Sequence, residues 1–369
     1  MDTGSTHSEM AENLQPESIG RRKARHLEIC TDAASYSVEN GTTMMQSVGL
    51  IHRSLPELNA DDVDTACEFL GFRVAFPFFI SSMTGGSSEA FKANKELARV
   101  AQQARIPVGT GSIRVLFTEP EVIDHFRLKT LAPDVPVFAN IGGVQLREPD
   151  NSKLVEMVRR LEADAIAVHL NPGQELAQPE GDRDFRGVLA GIQRLCESSP
   201  VPVIVKETGF GIGPDEARRL LDAGARYVDV AGSGGTNWVT VEGYRLSDDE
   251  KQVTDEFAGW GLPTAALLAA SRSLEGRILA SGGLRTGMDV VKSLVLGAVS
   301  AGLALPFIRA ISSGGVEGGL ALVHRLGSVL RTAMALSGSR TVAELRSAPY
   351  VTSPELDRFV TALTRLERV

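Results

Sequence analysis

The chain has 369 residues, with 38 Lys and Arg against 46 Asp and Glu and a formal net charge of −8. An acidic average excludes a general nucleic-acid binder, which needs a basic surface field, and leaves room for a local basic patch that meets a small anion. Three widely spaced cysteines, Cys30, Cys67 and Cys196, form neither a disulfide framework nor a metal pair and fit a reducing compartment. With 43% hydrophobic and 23% charged residues, the chain can fill one large core.

Residues 1–20 are polar and lack the apolar stretch of a signal peptide, so they read as a disordered leader on a cytoplasmic protein. Residues 21–75 begin with the basic cluster Arg21, Arg22, Lys23, Arg25 and His26 and read as a segment covering the mouth of the domain that follows. From residue 76 to 349, short apolar runs alternate with amphipathic stretches. The runs are FPFFISSM (76–83), IPVGTGS (106–112), VPVFANIGG (135–143), AIAVHLN (165–171), VPVIVKETG (201–209), YVDVAGSGG (227–235), RILASGGL (277–284) and VSAGLALPF (299–307). Strands apolar on both faces, each followed by a helical pattern, indicate a parallel sheet covered on both sides, and eight such units predict a (β/α)8 TIM barrel. A doubly wound open sheet is the alternative, without an early GxGxxG to support it. SLVLGAVSAGLALPFI, between Lys292 and Arg309, is too short and too interrupted to span a membrane and reads as a helix end followed by a buried strand. Residues 350–369 read as a helical tail.

In such a barrel, chemistry gathers where strands end and βα loops begin. That rule selects Ser82, Met83, Thr84, Ser112, Arg114, Asn140, His169, Asn171, Lys206, Ser233, Thr236, Gly282, Gly283 and Ala304. SGGLRTG after the seventh run and GLALPF at the eighth form a place where glycine amides and a helix N-terminus can hold a phosphate, although a glycine pair can also serve only a turn. Lys206 ends an apolar strand and needs an anionic partner, either a ligand or a neighbouring carboxylate such as Glu207. Asn171 and Glu175 are hard oxygen donors of the kind Mg2+ shares with substrate phosphate, whereas His169 alone is equally a hydrogen-bonded structural group. Arg22, Lys23, His26 and Arg114 would clamp an anion such as diphosphate if the leading segment folds over the mouth; a basic run can also be a solvated face. Trp238 and Glu242 stand one helical turn apart, with core packing and surface solvation as the plain alternatives.

These motifs, RKARH, SSMTGG, GSIR, ANIGG, HLNPGQELAQPEGD, VKETG, AGSGGTNW and SGGLRTG in order from Arg22 to about Pro349, resemble the type 2, FMN-dependent isopentenyl-diphosphate isomerases. HLNPGQE with QPEGD is the most family-specific element, while SGGLRTG and MALSGSRTVAEL are shared among FMN barrels. The resemblance implies that Ser82, Met83, Thr84, Ser112, Asn140, Lys206 and Thr236 bind FMN, and that the backbone around Gly282, Gly283, Leu284, Leu303 and Ala304 holds its phosphate. It further implies that Arg22, Lys23, Ser112, Ile113, Arg114 and His169 meet substrate diphosphate, with Gln174 beside the reacting carbons and Glu242 aiding proton transfer. Glu175, with Asn171 nearby, would ligate Mg2+.

The implied reaction moves the double bond of isopentenyl diphosphate by a 1,3-proton shift to give dimethylallyl diphosphate, a step of isoprenoid biosynthesis. Reduced FMN, Mg2+ and NADPH as reductant are the implied cofactors, and a homo-oligomer, tetramer or octamer, is the implied assembly; no nucleic acid or membrane is involved. The main rival is an FMN-dependent 2-hydroxy-acid oxidase, which carries a His base and an Arg at the end of the sixth strand where this chain reads AGSGGTNW. IMP dehydrogenase needs a nucleophilic Cys in a βα loop, and Cys196 lies in a helical stretch. A flavin-binding protein without catalysis leaves HLNPGQE and the basic cluster without a purpose.

Overall fold

Prolines mark where several strands begin. Pro77, Pro107, Pro136 and Pro202 each stand immediately before a strand, where a missing N–H costs no ladder bond. Their carbonyls still accept from the neighbouring strands, through the N–H groups of Ala301, Ile80, Val108 and Ile166 at 2.9–3.0 Å. The structure is a computed structural model that describes residues 19–83 and 87–366. Most of the leader and Thr84 lie outside the described residues.

Eight parallel strands follow one another around the sheet: β1 (Phe78–Ile80), β2 (Val108–Ser112), β3 (Val137–Gly142), β4 (Ala165–His169), β5 (Val203–Lys206), β6 (Tyr227–Asp229), β7 (Ile278–Leu279) and β8 (Ala301–Leu303). β8 pairs with β1, and a parallel bridge between Ala280 and Ala301 joins the β7 end to β8, so the sheet closes into the expected barrel. Helices such as Ser88–Ala104, Pro214–Asp222 and Gly287–Val295 cover the outside. The last of these starts at Thr286, which forms a reciprocal cap with Asp289. As the sequence predicts, the stretch after Lys292 is a helix end followed by strand β8.

Alternation along the strands fills the barrel in layers. Phe79, Phe138, Ala167, Ile204, Tyr227 and Leu279 form an apolar interior cluster. Two glycines make room for its aromatic rings: a Cβ on Gly302 would stand 2.5 Å from the Phe79 ring, and one on Gly109 would stand 2.8 Å from that of Phe138. The hairpin Cys67–Phe69 with Phe72–Val74 adds Phe69 and Val74 to the cluster, with Phe69 stacked on Phe79 at 6.2 Å between ring centres. Continuing two residues along the same strands leads to a polar layer of Ser81, Asn140, His169, Lys206, Asp229 and Ser281 at the C-terminal mouth.

Helix α1 (Ile19–Thr31) precedes the barrel and packs on the helix Leu305–Ser337, the helix Ser88–Ala104 and the helix after β6. The backbone of Val38 to Asn40 then runs beside the loop after β6, with Asn237 donating to the carbonyl of Val38 and Asn40 to that of Gly235. The stretch from Tyr350 opens on a strand that pairs antiparallel with Val48–Leu50, and the helix Pro354–Leu366 follows it. Among the described residues no helix is long and apolar enough to cross a membrane.

Candidate active site

The polar layer opens into a cavity of about 200 Å3 at the C-terminal mouth of the barrel. Its wall brings together Arg22 and Lys23 from α1 with Ser82, Met83, Ser112, Arg114, Asn140, His169, Asn171, Gln174, Glu175, Lys206, Thr236, Gly282, Gly283 and Ala304 from the strand ends and loops. Ile113, Leu284 and Leu303 are buried behind this wall, which leaves only their backbone to serve a ligand. Ser233 is buried and outside the wall. Gln145, Gln178, Thr208, Trp238 and Arg285 line the cavity and were not selected as ligand contacts by the sequence. Gln178 follows Gln174 by four positions on a helical face, and Arg285 stands inside SGGLRTG, so each had a signal in spacing or motif.

Charge on the α1 side is one-sided. Lys23 Nζ donates to the carbonyl oxygen of Ser112 at 3.0 Å and has Arg22 and Arg114 as neighbours. Burial and those two guanidinium groups push the Lys23 ammonium from 10.5 down to about 8. Arg22 pairs with Glu180 at 2.9 Å on its outer side. His169 Nδ1–H donates to Asn140 Oδ1, 2.8 Å away. Burial, with the positive charges of Lys206, Lys23 and Arg114, drives its imidazole down to about 3, so it is neutral across the physiological range. Such a crowd of cations is stabilised by an anion.

A second group lies on α2 (Pro172–Ala177) and α3 (Trp238–Gly243). Pro172 at the first turn sets α2 in place directly after β4, which aims Asn171, Gln174 and Glu175 into the mouth. Gln174 Nε2 donates to Glu242 Oε1 at 2.8 Å, and Gln178 Nε2 donates to the same oxygen at 2.6 Å. His26 Nε2 is 2.9 Å from that oxygen, off the line of a well-aligned hydrogen bond, and Arg245 pairs with Oε2. Burial pushes the Glu242 carboxyl up, but His26, Gln174 and Arg245 outweigh it and hold it at about 2. Glu242 is fully buried behind Gln174 and does not line the cavity, so surface solvation does not describe it. Trp238 lines the cavity, takes His26 edge-on at 5.4 Å and also packs against the hydrophobic core, the plain alternative offered by the sequence.

The flavin side can be tested on its own atoms. Ser82 Oγ is buried and has no hydrogen-bond partner among the described residues, an arrangement that costs about 1–3 kcal/mol unless a ligand supplies one. Lys206 Nζ donates to the carbonyl oxygen of Glu207 at 2.5 Å, while the Glu207 carboxylate is taken by the N–H groups of Gly209, Phe210 and Gly211. The salt bridge between neighbours that the sequence allowed is therefore absent. Burial pushes the Asp229 carboxyl above its usual range despite Lys206 and Ser281 beside it. Gly282 and Gly283 take φ of 89° and 76°, a left-handed pair that turns the chain back over the barrel end, and their N–H groups have no acceptor among the described residues. With the N-terminus of Leu305–Ser337 beside them, this arrangement suits a phosphate group, and the polar mouth suits a planar heterocycle. These residues fit FMN.

For a cation, Glu175 is the carboxylate on the wall; Oε1 accepts from Asn171 Nδ2 at 3.2 Å and Oε2 from the Asp182 N–H at 2.8 Å. Each oxygen retains a further lone pair, a donor set that fits Mg2+ shared with phosphate and water. Among the described residues no group of three or more His, Cys, Asp or Glu is placed to hold a metal by itself.

Residues 145–352 match the FMN-dependent dehydrogenase family. An isopentenyl-diphosphate delta-isomerase of Borrelia garinii subsp. bavariensis is 43% identical over 339 residues, 92% of this chain and 95% of that one. The protein of the same name from Halobacterium salinarum is 40% identical over 356 residues, covering 94% and 97%. Among solved structures, a mandelate oxidase with 2-hydroxy-phenylacetamide superposes with a TM-score of 0.62 at 20% identity, over 90% of this chain and 98% of that one, which shows the shared fold. With both the flavin barrel and near full-length likeness to these enzymes, the chain belongs to the FMN-dependent isopentenyl-diphosphate delta-isomerase family.

Proposed function

We propose that the cavity converts isopentenyl diphosphate to dimethylallyl diphosphate by a 1,3-proton shift, with reduced FMN and Mg2+ bound and NADPH as reductant. The observation that carries this reading is the meeting of three cations, Arg22, Lys23 and Arg114, with the Gln174–Glu242 pair at one barrel mouth. Arg22, Lys23 and Arg114 hold the diphosphate, and Ser112 lines the same side of the wall. His169, kept neutral, meets the phosphate as a polar group without adding another positive charge. Glu175, with Asn171 beside it, would hold Mg2+, which would supply positive charge to the phosphate.

Gln174 stands on the cavity wall with its amide nitrogen fixed by Glu242, so the carboxamide meets the reacting carbons in one orientation. Glu242, held anionic behind Gln174, stabilises through that amide the positive charge that develops as the alkene gains a proton. Reduced FMN would supply ring nitrogens able to give and take that proton. Lys206, Asn140, Ser82 and Thr236 would orient its ring, while α1 excludes water from a cation-like transition state.

The oxidase reading lacks support at β6: the following loop carries Thr236 and Trp238 on the cavity, with neither a His nor an Arg in AGSGGTNW. Homo-oligomeric assembly and a cytoplasmic setting belong to the same proposal. An apolar groove of about 1090 Å3 beside α2, with Leu176, Val253, Phe257 and Trp260 exposed on it, supports association with a second copy. The deciding experiment follows isopentenyl diphosphate by NMR in D2O, anaerobically, with protein, Mg2+ and FMN, with and without NADPH. Deuterated dimethylallyl diphosphate only in the reduced sample supports the proposal, and no conversion in either sample with FMN bound refutes it.

A further inference from the structure

One side chain touches both halves of the site. Gln178 is buried at the end of α2, where its N–H still bonds to the carbonyl of Gln174 and its own carbonyl accepts from Arg183 at 2.7 Å. Its backbone is therefore fixed independently of its side chain. The side-chain amide points back into the site: Nε2 donates to Glu242 Oε1 at 2.6 Å, and Oε1 accepts from Arg22 Nη1 at 3.4 Å. An amide between a carboxylate and a guanidinium has only one satisfactory orientation, with its nitrogen on the anion and its oxygen on the cation.

We propose that Gln178 is a positioning residue that couples the anion clamp, through Arg22, to the Glu242 carboxylate that fixes Gln174. The proposal rests on the isomerase reading and adds to it the route by which diphosphate binding at one end of the substrate sets the groups at the other. Glu242 Oε1 is shared by Gln174 and Gln178. Loss of the Gln178 donor removes one of the contacts that fix that oxygen and so loosens the partner that orients Gln174. When Arg22 turns toward a diphosphate, the Gln178 carbonyl is the contact through which Glu242 senses the change.

Any effect of pH on this network has to include every charged neighbour. Glu242 faces His26 from α1, Arg245 from the turn after α3, and, more remotely, the buried Cys30 thiol. Glu180 joins Arg22 and Arg245 on the outer side at 2.9 and 3.3 Å. Gln178 is the neutral member of the set, so replacing it with an apolar residue of similar length removes both side-chain hydrogen bonds without removing a charge.

The test compares the parent with Gln178→Met as FMN-loaded proteins, measuring kcat and KM for isopentenyl diphosphate and, separately, calorimetric affinity for pyrophosphate. The expected result is a loss of tenfold or more in kcat, with KM and pyrophosphate affinity changed less than threefold, and an acidic limb of kcat shifted to higher pH as Glu242 loses a donor. A rise in KM with kcat preserved would place Gln178 in the clamp alone and overturn the proposal, as would no change in either. Gln178→Glu tests the same point if the Met variant does not fold: its carboxyl can replace the amide donor only when protonated. Its turnover relative to the parent should recover as pH falls, and a relative activity independent of pH would overturn the proposal. An inactive parent that still binds pyrophosphate would instead refute the isomerase reading beneath it.

Discussion

Lys23 makes affinity for a diphosphate depend on pH in a way that can be calculated. In the free site burial and the charges of Arg22 and Arg114 bring its ammonium from 10.5 to about 8, a penalty of about 3 kcal/mol against the charged form. An anion seated among the three cations returns that energy and raises the value again. Below pH 8 the lysine is already protonated and binding is at full strength. Above it, binding must take up a proton, and at pH 9.5 the free site retains only roughly 3% of the ammonium; with a neutral side chain leaving about a tenth of the affinity, binding should be about sevenfold weaker than at pH 7. Calorimetry of pyrophosphate between pH 6.5 and 9.5 measures this, and Lys23→Met provides the reference in which the ligand's own titration remains. The variant should bind about tenfold more weakly at pH 7 and approach the parent above pH 9. Parallel curves for the two proteins across that range would refute the assignment of the low value to Lys23.

Three further outcomes follow from individual atoms. Ser82→Ala removes a buried hydroxyl that has no partner among the described residues, so apo stability should hold or rise by about 1 kcal/mol while FMN affinity falls; thermal melts with and without flavin separate the two. His169 should show no imidazole titration between pH 5 and 8 in NMR spectra of the free protein, because burial and three neighbouring cations keep it neutral down to about 3; a midpoint near 6 would remove them as the controlling influence. Gly302→Ala forces a Cβ to within 2.5 Å of the Phe79 ring inside the barrel and should cost about 1–3 kcal/mol in urea unfolding, whereas an unchanged midpoint would mean that the ring has space to move.

The strand ends were legible because β strands covered on both faces are continuous apolar runs that stop where polar chemistry begins. IPVGTGS contains Val108–Ser112, and AIAVHLN contains Ala165–His169, so Ser112, His169 and Asn171 could be placed at the mouth from the sequence alone. Glu242 was harder. Its spacing from Trp238 gives a shared helical face, but spacing does not say whether that face meets solvent or the buried amides of Gln174 and Gln178, which lie 68 and 64 positions earlier. The meeting of Glu39 with Arg285 and Arg309 at 2.7 and 3.1 Å, over separations of 246 and 270 residues, has no local pattern either. His26, which the basic run groups with Arg22 and Lys23, lines the same cavity as they do and also stands 2.9 Å from Glu242, a contact no local pattern announces.

The stretch shared with FMN-dependent dehydrogenases starts at residue 145, after Arg22, Lys23 and Arg114 have all appeared. Lys206, Thr236 and the Gly282–Gly283 turn fall inside it. The division is not complete, because Ser82 and Asn140 on the proposed flavin side precede residue 145 while His169 and Glu175 on the proposed phosphate side follow it, so the two parts of the mouth interleave along the barrel strands. For engineering, this makes α1 the natural unit of exchange, since it brings Arg22 and Lys23 to the mouth from outside the barrel strands, whereas a graft reaching residue 114 would replace β1 and β2 and remove Ser82.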